Sequence, residues 1–341
     1  MEVWEQGIGI AVSQGMPHVV NSGKEVKPML GIRFSLCVAA LVVLPSSAYP
    51  GKPHTTVDYA LRGKARYDQG DMRGAEADYT RAIDMATGLG RNRENSGGPG
   101  NRLLPGDGGD AVDSSVRAME PAVASLYCNR GLARYQLGDF AGAAADSSTA
   151  IALRPGMIDS WVVRGLARRQ LGMFDLALAD LDKAVSLDPD SPVALTDRGN
   201  QRKLMGDFKG AIEDFNRALL HESGNAEIFI NRGIAYVDQG ELDKALSDLD
   251  KAVELNPRIS WAYFNRGVAY IKKGLVEKAL ADYDQTIRLD PKCAVAFLDR
   301  GFAYHFLGRK SDADRDFAAS LALNPALKVE IDRYLAAHSK N

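Results

Sequence analysis

Cysteine is scarce in this sequence, and its few cysteines are not arranged as metal ligands or as a disulfide framework. Only three occur in 341 residues, Cys37, Cys128 and Cys293, and none forms a CxxC pair. A structural zinc site needs closely spaced cysteine or histidine pairs, and a disulfide-rich domain needs several cysteines in a short chain. The sequence therefore predicts neither kind of site, and no metal or other cofactor.

A surplus of charge of either sign is also lacking. Lys and Arg total 42, and Asp and Glu total 44. Proteins that bind nucleic acids usually carry a basic surplus because they neutralise phosphates, and acidic tails are recognised as runs of one charge. The balance of charge therefore argues against a nucleic acid as the partner.

Recognisable catalytic motifs are missing as well. The sequence contains no GxxxxGK[ST], no GxSxG, no HExxH and no complete GxGxxG. Each of these patterns builds a particular site, such as a phosphate-binding loop, a nucleophile elbow or a zinc site. We therefore predict a protein that is not an enzyme and has no catalytic residues, and we keep an enzyme with unrecognised chemistry as an alternative.

The first 48 residues differ from the rest of the chain. A basic residue precedes the apolar run Phe34–Leu44, and small residues follow at Ser46 and Ala48. This order is typical of a secretory signal, which we expect at about 29–48 with cleavage after Ala48. The run is too short to span a bilayer comfortably. The predicted location is exported, periplasmic or secreted, and the alternative is an uncleaved signal that anchors the protein in the membrane.

The strongest signal in the sequence is an internal repeat with a period of 34 residues. At that shift, or at twice that shift, single residue types fill whole columns, and a seven-fold match is very improbable by chance. Two columns are glycine: Gly63, Gly131, Gly165, Gly199, Gly233, Gly267 and Gly301, and Gly70, Gly138, Gly172, Gly206, Gly240, Gly274 and Gly308. The third is alanine: Ala75, Ala143, Ala177, Ala211, Ala245, Ala279 and Ala313.

Each repeat has the pattern of two helices joined by a short turn. In the fifth repeat, apolar residues recur at helical spacing from Ile228 to Val237, and Gly240 can adopt the left-handed conformation that ends a helix. A second helical pattern begins at Leu242 and stops before Pro257. Short turns make the two helices antiparallel neighbours, and successive pairs must stack to bury both faces. The sequence therefore predicts an all-α solenoid of seven antiparallel helix pairs.

Two segments fall outside the repeats. Residues 88–120 follow the first repeat, are rich in glycine and contain few apolar residues, so we expect a flexible insert there. Residues 326–338 carry apolar side chains at i, i+4 and i+8 with charges between them, which predicts a C-terminal capping helix. The first repeat then covers residues 56–87, and six contiguous repeats cover residues 121–325.

The sixth repeat carries the pattern of a known family. A bulky aromatic, glycine, tyrosine, alanine, a second aromatic and proline occur there as Tyr263, Gly267, Tyr270, Ala279, Tyr283 and Pro291. This pattern resembles that of the tetratricopeptide repeat family. The resemblance extends over residues 56–87 and 124–327. The chain departs from the family pattern at Ser223, which replaces a proline, and at an arginine that replaces leucine before the first glycine column. The resemblance implies a right-handed superhelix whose first helices line a concave groove for a peptide or protein partner.

Some members of that family hold the C-terminal carboxylate of chaperones with a clamp that opens with a lysine on a first helix. The aligned positions in this chain hold no cation: Cys128, Val162, Thr196, Ile230, Phe264 and Leu298. The resemblance therefore implies no chaperone-tail clamp. A membrane is expected to matter only through an uncleaved signal.

The first helices of the last three repeats are rich in large apolar residues, and one column is rich in asparagine. We predict a partner-binding groove formed by Asn129, Asn231, Asn265, Trp261, Phe264, Ile234, Phe302 and Phe306. Large aromatic residues dominate binding energy at interfaces, and an amide suits the backbone of an extended peptide. Bonding of the asparagines to neighbouring repeats is an equal alternative. The predicted function is a protein–protein interaction scaffold, with a self-assembling structural subunit as an alternative.

Two further columns pair opposite charges. The arginines are Arg62, Arg130, Arg164, Arg198, Arg232, Arg266 and Arg300, and the aspartates are Asp78, Asp146, Asp180, Asp214, Asp248, Asp282 and Asp316. Sixteen residues separate the partners, which places them at the same level of an antiparallel helix pair, so we predict contacts between them within or between repeats. The alternative is that each arginine covers the surface with its methylenes. Acidic pairs such as Asp248 and Asp250 recur at one place in the repeat, and we assign them a structural role.

Overall fold

The structure is a computed structural model that describes residues 55–88 and 114–338. The expected signal and most of the expected insert lie outside these residues. The described chain forms fifteen α-helices and one short 3-10 helix, and it contains no strand. The predicted all-α class is therefore confirmed. None of the described helices is both long and apolar enough to cross a membrane.

The chain divides into two compact units between Gln201 and Arg202. The helices that begin in the first unit are α1 Thr56–Asp68, α2 Met72–Thr87, α3 Ser114–Gln136, α4 Phe140–Leu153, α5 Ile158–Gln170, α6 Phe174–Leu187 and α7 Pro192–Leu204, which contains the division. From α1 to α6 each helix packs against the next. The second helix of one repeat therefore also contacts the first helix of the following repeat.

The second unit continues the same alternation. Its helices are α8 Phe208–His221, α9 Ala226–Asp238, α10 Leu242–Leu255, α11 Ser260–Lys272, α12 Val276–Leu289, α13 Ala294–Phe306, α14 Lys310–Leu323 and α15 Lys328–His338. Consecutive helices from α8 to α14 pack against each other, and a 3-10 turn at Pro325–Leu327 connects α14 to α15. The predicted helix pairs and the capping helix are present in this arrangement.

The turn inside each pair depends on a glycine with a left-handed backbone. Gly240, between α9 and α10, has a φ of 79°. The other six glycines of its column also have positive φ values. Only glycine adopts this conformation without a steric penalty, so the column marks the end of each first helix, as the sequence predicted for Gly240.

The other glycine column and the alanine column let two helices approach closely. A Cβ atom on Gly267 would lie 2.7 Å from Cε1 of Tyr283, and one on Gly233 would lie 3.0 Å from Cγ of Leu249. All seven alanines of the column are fully buried. Larger side chains at these positions would overpack the interface between the helices.

One predicted boundary differs from the structure. Residues 88–120 were expected to form the insert, but α3 begins at Ser114 and runs through Pro121. The last seven residues of that segment contain no glycine or proline and include the strong helix formers Ala, Met, Glu and Arg. They therefore extend the first helix of the second repeat towards its N-terminus.

Candidate partner-binding surface

In six of the seven repeats, the arginine and aspartate columns tie the first helix to the second helix. Arg266 of α11 donates from Nε to Oδ2 of Asp282 at 2.8 Å and from Nη2 to Oδ1 at 2.7 Å. This two-pronged arrangement is the strongest geometry for an arginine and a carboxylate. Burial raises the pKa of Asp282, and the hydrogen bonds from Arg266 partly offset that rise.

The same contact recurs along the chain. The other pairs within single units are Arg62–Asp78, Arg130–Asp146, Arg164–Asp180, Arg232–Asp248 and Arg300–Asp316. The predicted arginine–aspartate contacts are thereby confirmed within these repeats. The remaining pair, Arg198 and Asp214, has one member in each unit.

The third nitrogen of these arginines reaches the preceding repeat. Nη1 of Arg266 lies 2.8 Å from Oδ1 of Asp250, and Nη1 of Arg300 lies 2.6 Å from Oδ1 of Asp284. In the first unit, Nη1 of Arg164 donates to the hydroxyl of Ser148 at 3.2 Å. Each such arginine therefore joins two repeats. The repeated acidic pairs have the structural role that we assigned to them, because their two carboxylates bind the arginines of two successive repeats.

Aromatic rings lie beneath several of the arginines. The guanidinium carbon of Arg164 is 4.7 Å from the ring centre of Trp161, and that of Arg266 is 5.5 Å from the ring centre of Tyr263. Attraction between the cation and the ring adds to the carboxylate bonds. These contacts hold the two helices of a repeat in register and so position the first helix.

Trp261, at the start of α11, combines exposure with a fixed orientation. Its surface is 42% exposed. Its ring stacks on Phe264, with 4.8 Å between ring centres and 13° between planes, and Phe264 in turn packs on the fully buried Tyr283 at 5.8 Å. The indole therefore rests on the buried ring of Phe264, which Tyr283 supports from behind, and part of the indole is exposed to solvent.

Phe264 and Phe302, both predicted to line the groove, belong to the core instead. They are 3% and 4% exposed. Phe264 is enclosed by its contacts with Trp261 and Tyr283, whereas Phe302 packs on Phe317 at 5.4 Å and on Tyr334 of the capping helix at 4.3 Å. The prediction was wrong for these two residues because neighbouring helices cover them. They lie in separate apolar clusters.

Asn265 is not available to a partner either. It is 3% exposed, and its Nδ2 donates to the backbone carbonyl of Trp261 at 2.7 Å. The amide therefore bonds within its own helix, which corrects both the groove assignment and the alternative of a bond to a neighbouring repeat. Asn129 and Asn231, of the same column, are half-buried.

The other two predicted residues differ in exposure. Ile234 of α9 is half-buried and packs against the apolar cluster of the second unit. Phe306, at the end of α13, is 50% exposed. Trp261 and Phe306 are thus the members of the predicted groove that offer the most apolar surface to a partner.

An exposed apolar turn in the third repeat was not predicted. Leu171, Met173, Phe174 and Leu176 are 40–50% exposed. The first, second and fourth repeats begin their second helices with Asp71, Asp139 and Asp207, each of which accepts a hydrogen bond from the glycine three residues later. Met173 and Leu176 replace that aspartate and that glycine. Comparing the repeats with one another would have found this departure.

Two aspartates of the asparagine column are buried. Asp197 of α7 is 7% exposed, and its burial raises its pKa to about 6 although the charge of Arg169 opposes the rise. Asp299 of α13 is 3% exposed, and burial together with the charge of Glu330 raises its pKa to about 8. In the described part of the chain, no group of three or more His, Cys, Asp or Glu side chains could hold a metal ion.

Family models identify the repeat independently. Models of the tetratricopeptide repeat match residues 128–192 and residues 260–293, and a model described as TPR repeat matches residues 233–274. No curated protein matches the sequence.

Solved structures share the fold at low sequence identity. A tetratricopeptide repeat protein from Parabacteroides merdae is 18% identical, with 83% of this chain and 98% of its own covered and a TM-score of 0.59. PilW, a widely conserved type IV pilus biogenesis factor, is 19% identical, with coverages of 62% and 98% and a TM-score of 0.58. PilF of Pseudomonas aeruginosa is 17% identical, with coverages of 64% and 98% and a TM-score of 0.55. These similarities concern the fold.

Proposed function

Because the chain belongs to the tetratricopeptide repeat family, whose first helices line a protein-binding groove, we propose that it is a protein–protein interaction scaffold. Its first helices bind a peptide or a protein partner. The observation that carries this proposal is the half-exposed indole of Trp261, which is stacked on Phe264. Exposed tryptophans that become buried on binding supply a large share of interface energy.

The stacking supports this role in a second way. An exposed side chain that is ordered only on binding loses conformational freedom, at a cost of about 0.5–1.5 kcal/mol. Phe264 already holds the indole in one stacked orientation and is itself packed on Tyr283, so little of this cost remains. The proposed site is therefore centred on Trp261, with Phe306 as a second apolar contact.

Selection from a displayed library of random peptides, with the purified protein as bait, tests the proposal. Peptides that bind the protein should bind Trp261→Ala more weakly by about 2 kcal/mol or more, because the main apolar contact is lost. Circular dichroism should show unchanged helical content. The matched control is Leu220→Ala, since Leu220 is 80% exposed on the second helix α8 of the same unit.

Two outcomes would contradict the proposal. One is equal affinity of the selected peptides for the protein and for Trp261→Ala. The other is that no peptide is selected and that the protein also captures no polypeptide from a native envelope fraction analysed by mass spectrometry.

We also propose that the protein is exported to the cell envelope. The support is the sequence pattern at 29–48, a basic residue and a short apolar run followed by small side chains. N-terminal sequencing of the protein purified from its native source should find a chain that begins after Ala48. A mature chain that begins at Met1 would overturn this proposal and leave the scaffold proposal intact.

A further inference from the structure

At Asn265, the asparagine column offers an acceptor that an ionised aspartate could not use. Asn265 uses its amide to donate a hydrogen bond to the carbonyl four residues earlier, that of Trp261. Asp299 occupies the same position in α13, where the equivalent acceptor is the carbonyl of Val295. A carboxylate has no proton to donate, whereas a protonated carboxyl has one. A protonated carboxyl at Asp299 can therefore make the equivalent bond, and an ionised one cannot.

The capping helix α15 packs on the part of α13 that holds Asp299. Leu327 and Ile331 are buried in one apolar cluster with Leu298 and Phe302. Glu330 lies directly before Ile331 on α15, and its Oε2 is buried without a hydrogen-bond partner in the described chain. Docking of α15 thus brings a second carboxyl group near Asp299.

The groups around Asp299 offer it no counter-charge. From α12, the nearby group is Tyr283, whose buried hydroxyl has no hydrogen-bond partner among the described residues. Arg300, the next residue on α13, is engaged by Asp316 of α14 and Asp284 of α12. The charged group that bears on Asp299 is Glu330, which has the same sign as an ionised aspartate.

Two histidines and a tyrosine also lie at this contact. Tyr334 of α15 lies between His305 and His338, with ring centres at 5.4 Å and 4.2 Å. Burial and the charges of His338 and Lys310 lower the pKa of His305, and burial raises the pKa of Tyr334 to about 12. Burial, opposed by backbone hydrogen bonds and assisted by the charges of Asp290 and Asp299, raises the pKa of Cys293, which directly precedes α13, to about 11. Asp299 therefore differs from this thiol and from the Tyr334 phenol in having a pKa near 8.

We propose that α15 is a pH-sensitive latch, which docks on the protonated carboxyl of Asp299 and is released when that carboxyl ionises opposite Glu330. The folded-state pKa of Asp299, about 8, is above that of an unfolded aspartate, about 4. The stabilisation is therefore complete below the unfolded value and is lost as pH rises through the folded value. Release would expose the apolar side chains of Leu298 and Phe302 at the C-terminal end of the repeats.

Hydrogen exchange of the full chain, measured by mass spectrometry between pH 6 and pH 9.5 and corrected for the intrinsic rate, tests the latch. Protection of residues 328–338 should fall by up to about tenfold per pH unit until about pH 8 and level off above it. Asp299→Asn should remove this fall, because asparagine donates the bond without ionising. Asp197→Asn is the matched control in the first unit, and it should leave the exchange profile of residues 328–338 unchanged.

Glu330→Gln provides a second variant, which removes the opposing charge and leaves Asp299 in place. It should reduce the fall in protection below pH 8, and it keeps the test available if Asp299→Asn does not fold. A flat profile in the unchanged protein, or the same fall in either variant as in the unchanged protein, would overturn the latch. Equal loss of protection in α12 would also overturn it, because the whole unit would then be opening.

Discussion

The side-chain amide of Asn265 donates a hydrogen bond to the backbone carbonyl of Trp261, with 2.7 Å between Nδ2 and O. The amide is buried, while the indole of Trp261 is half-exposed. Asn265 therefore bonds within its own helix, whereas Trp261, four residues earlier, is partly exposed to solvent. This bond stabilises the first turn of α11, which contains the proposed binding residue Trp261.

Asn265→Asp should destabilise the protein in a pH-dependent way. An ionised carboxylate cannot donate to the Trp261 carbonyl and is buried, so we expect a loss of about 1–3 kcal/mol at pH 8. At pH 4 the loss should be smaller, because the protonated carboxyl can donate the bond. Urea unfolding at the two pH values measures the difference, with Asn231→Asp, at a half-buried position, as the milder control. Equal losses at both pH values would show that the donor is unimportant.

Arg266→Leu should cost about 3 kcal/mol of unfolding free energy, because it leaves the buried carboxylate of Asp282 without a counter-charge. The double variant Arg266→Leu with Asp282→Leu should recover a large part of this loss, since no buried charge then remains unpaired. Urea unfolding of the three variants, including Asp282→Leu alone, gives the coupling energy. Lys251→Ala breaks an exposed ion pair with Glu254 and should change stability by less than about 0.5 kcal/mol. Additive single effects would contradict the pairing.

The third-repeat turn should regain its helix cap only when two residues change together. Met173→Asp supplies the carboxylate that caps α2, α4 and α8, an interaction worth about 1 kcal/mol. A Cβ atom on the capped glycine of the fourth repeat, Gly210, would lie 2.2 Å from Oδ2 of Asp207. Leu176 would therefore obstruct the new cap, so Met173→Asp alone should gain little.

A double-mutant cycle with Met173→Asp and Leu176→Gly measures this coupling, which we expect to be about 1 kcal/mol in favour of the double variant. Gly210→Ala is the converse test in the fourth repeat. It should destabilise the protein in the presence of Asp207 and have a smaller effect in the Asp207→Ala background. No coupling in either cycle would mean that the cap does not require the glycine.

Asp197→Asn should remove one component of the pH dependence of stability. Burial raises the pKa of Asp197 to about 6, above the unfolded value of about 4. The folded state thus holds the proton more tightly, and this contribution is complete below pH 4 and lost as pH rises through 6. The stability advantage of the variant should therefore grow by roughly 2–3 kcal/mol between pH 4 and pH 7.5. Parallel pH profiles of the two proteins in urea unfolding would contradict the assignment.

Several features of the fold were predicted because they are repeated and local. The 34-residue columns located the helix pairs, and Gly240 was expected to end a first helix because its position needs a left-handed backbone. The sixteen-residue spacing of Arg266 and Asp282 predicted their contact, since a hairpin of two helices places those levels side by side. The early start of α3 was not predicted because Ser114 directly follows a glycine-rich stretch, and the short helical segment after it was assigned to the same insert.

The sequence by itself determined the number of helix pairs, the close approaches at glycine and alanine, and the arginine–aspartate register. Each of these depends on backbone geometry that is the same in every repeat. Tertiary structure alone decided that Trp261 is exposed and that Phe264, three residues later on the same helix, is buried. Helical periodicity places both near one face, but the ring of Tyr283 from α12 covers only Phe264. The side chain that the second helix places against the first differs in size from repeat to repeat. The periodic pattern therefore cannot specify which aromatic residue of the first helix becomes buried.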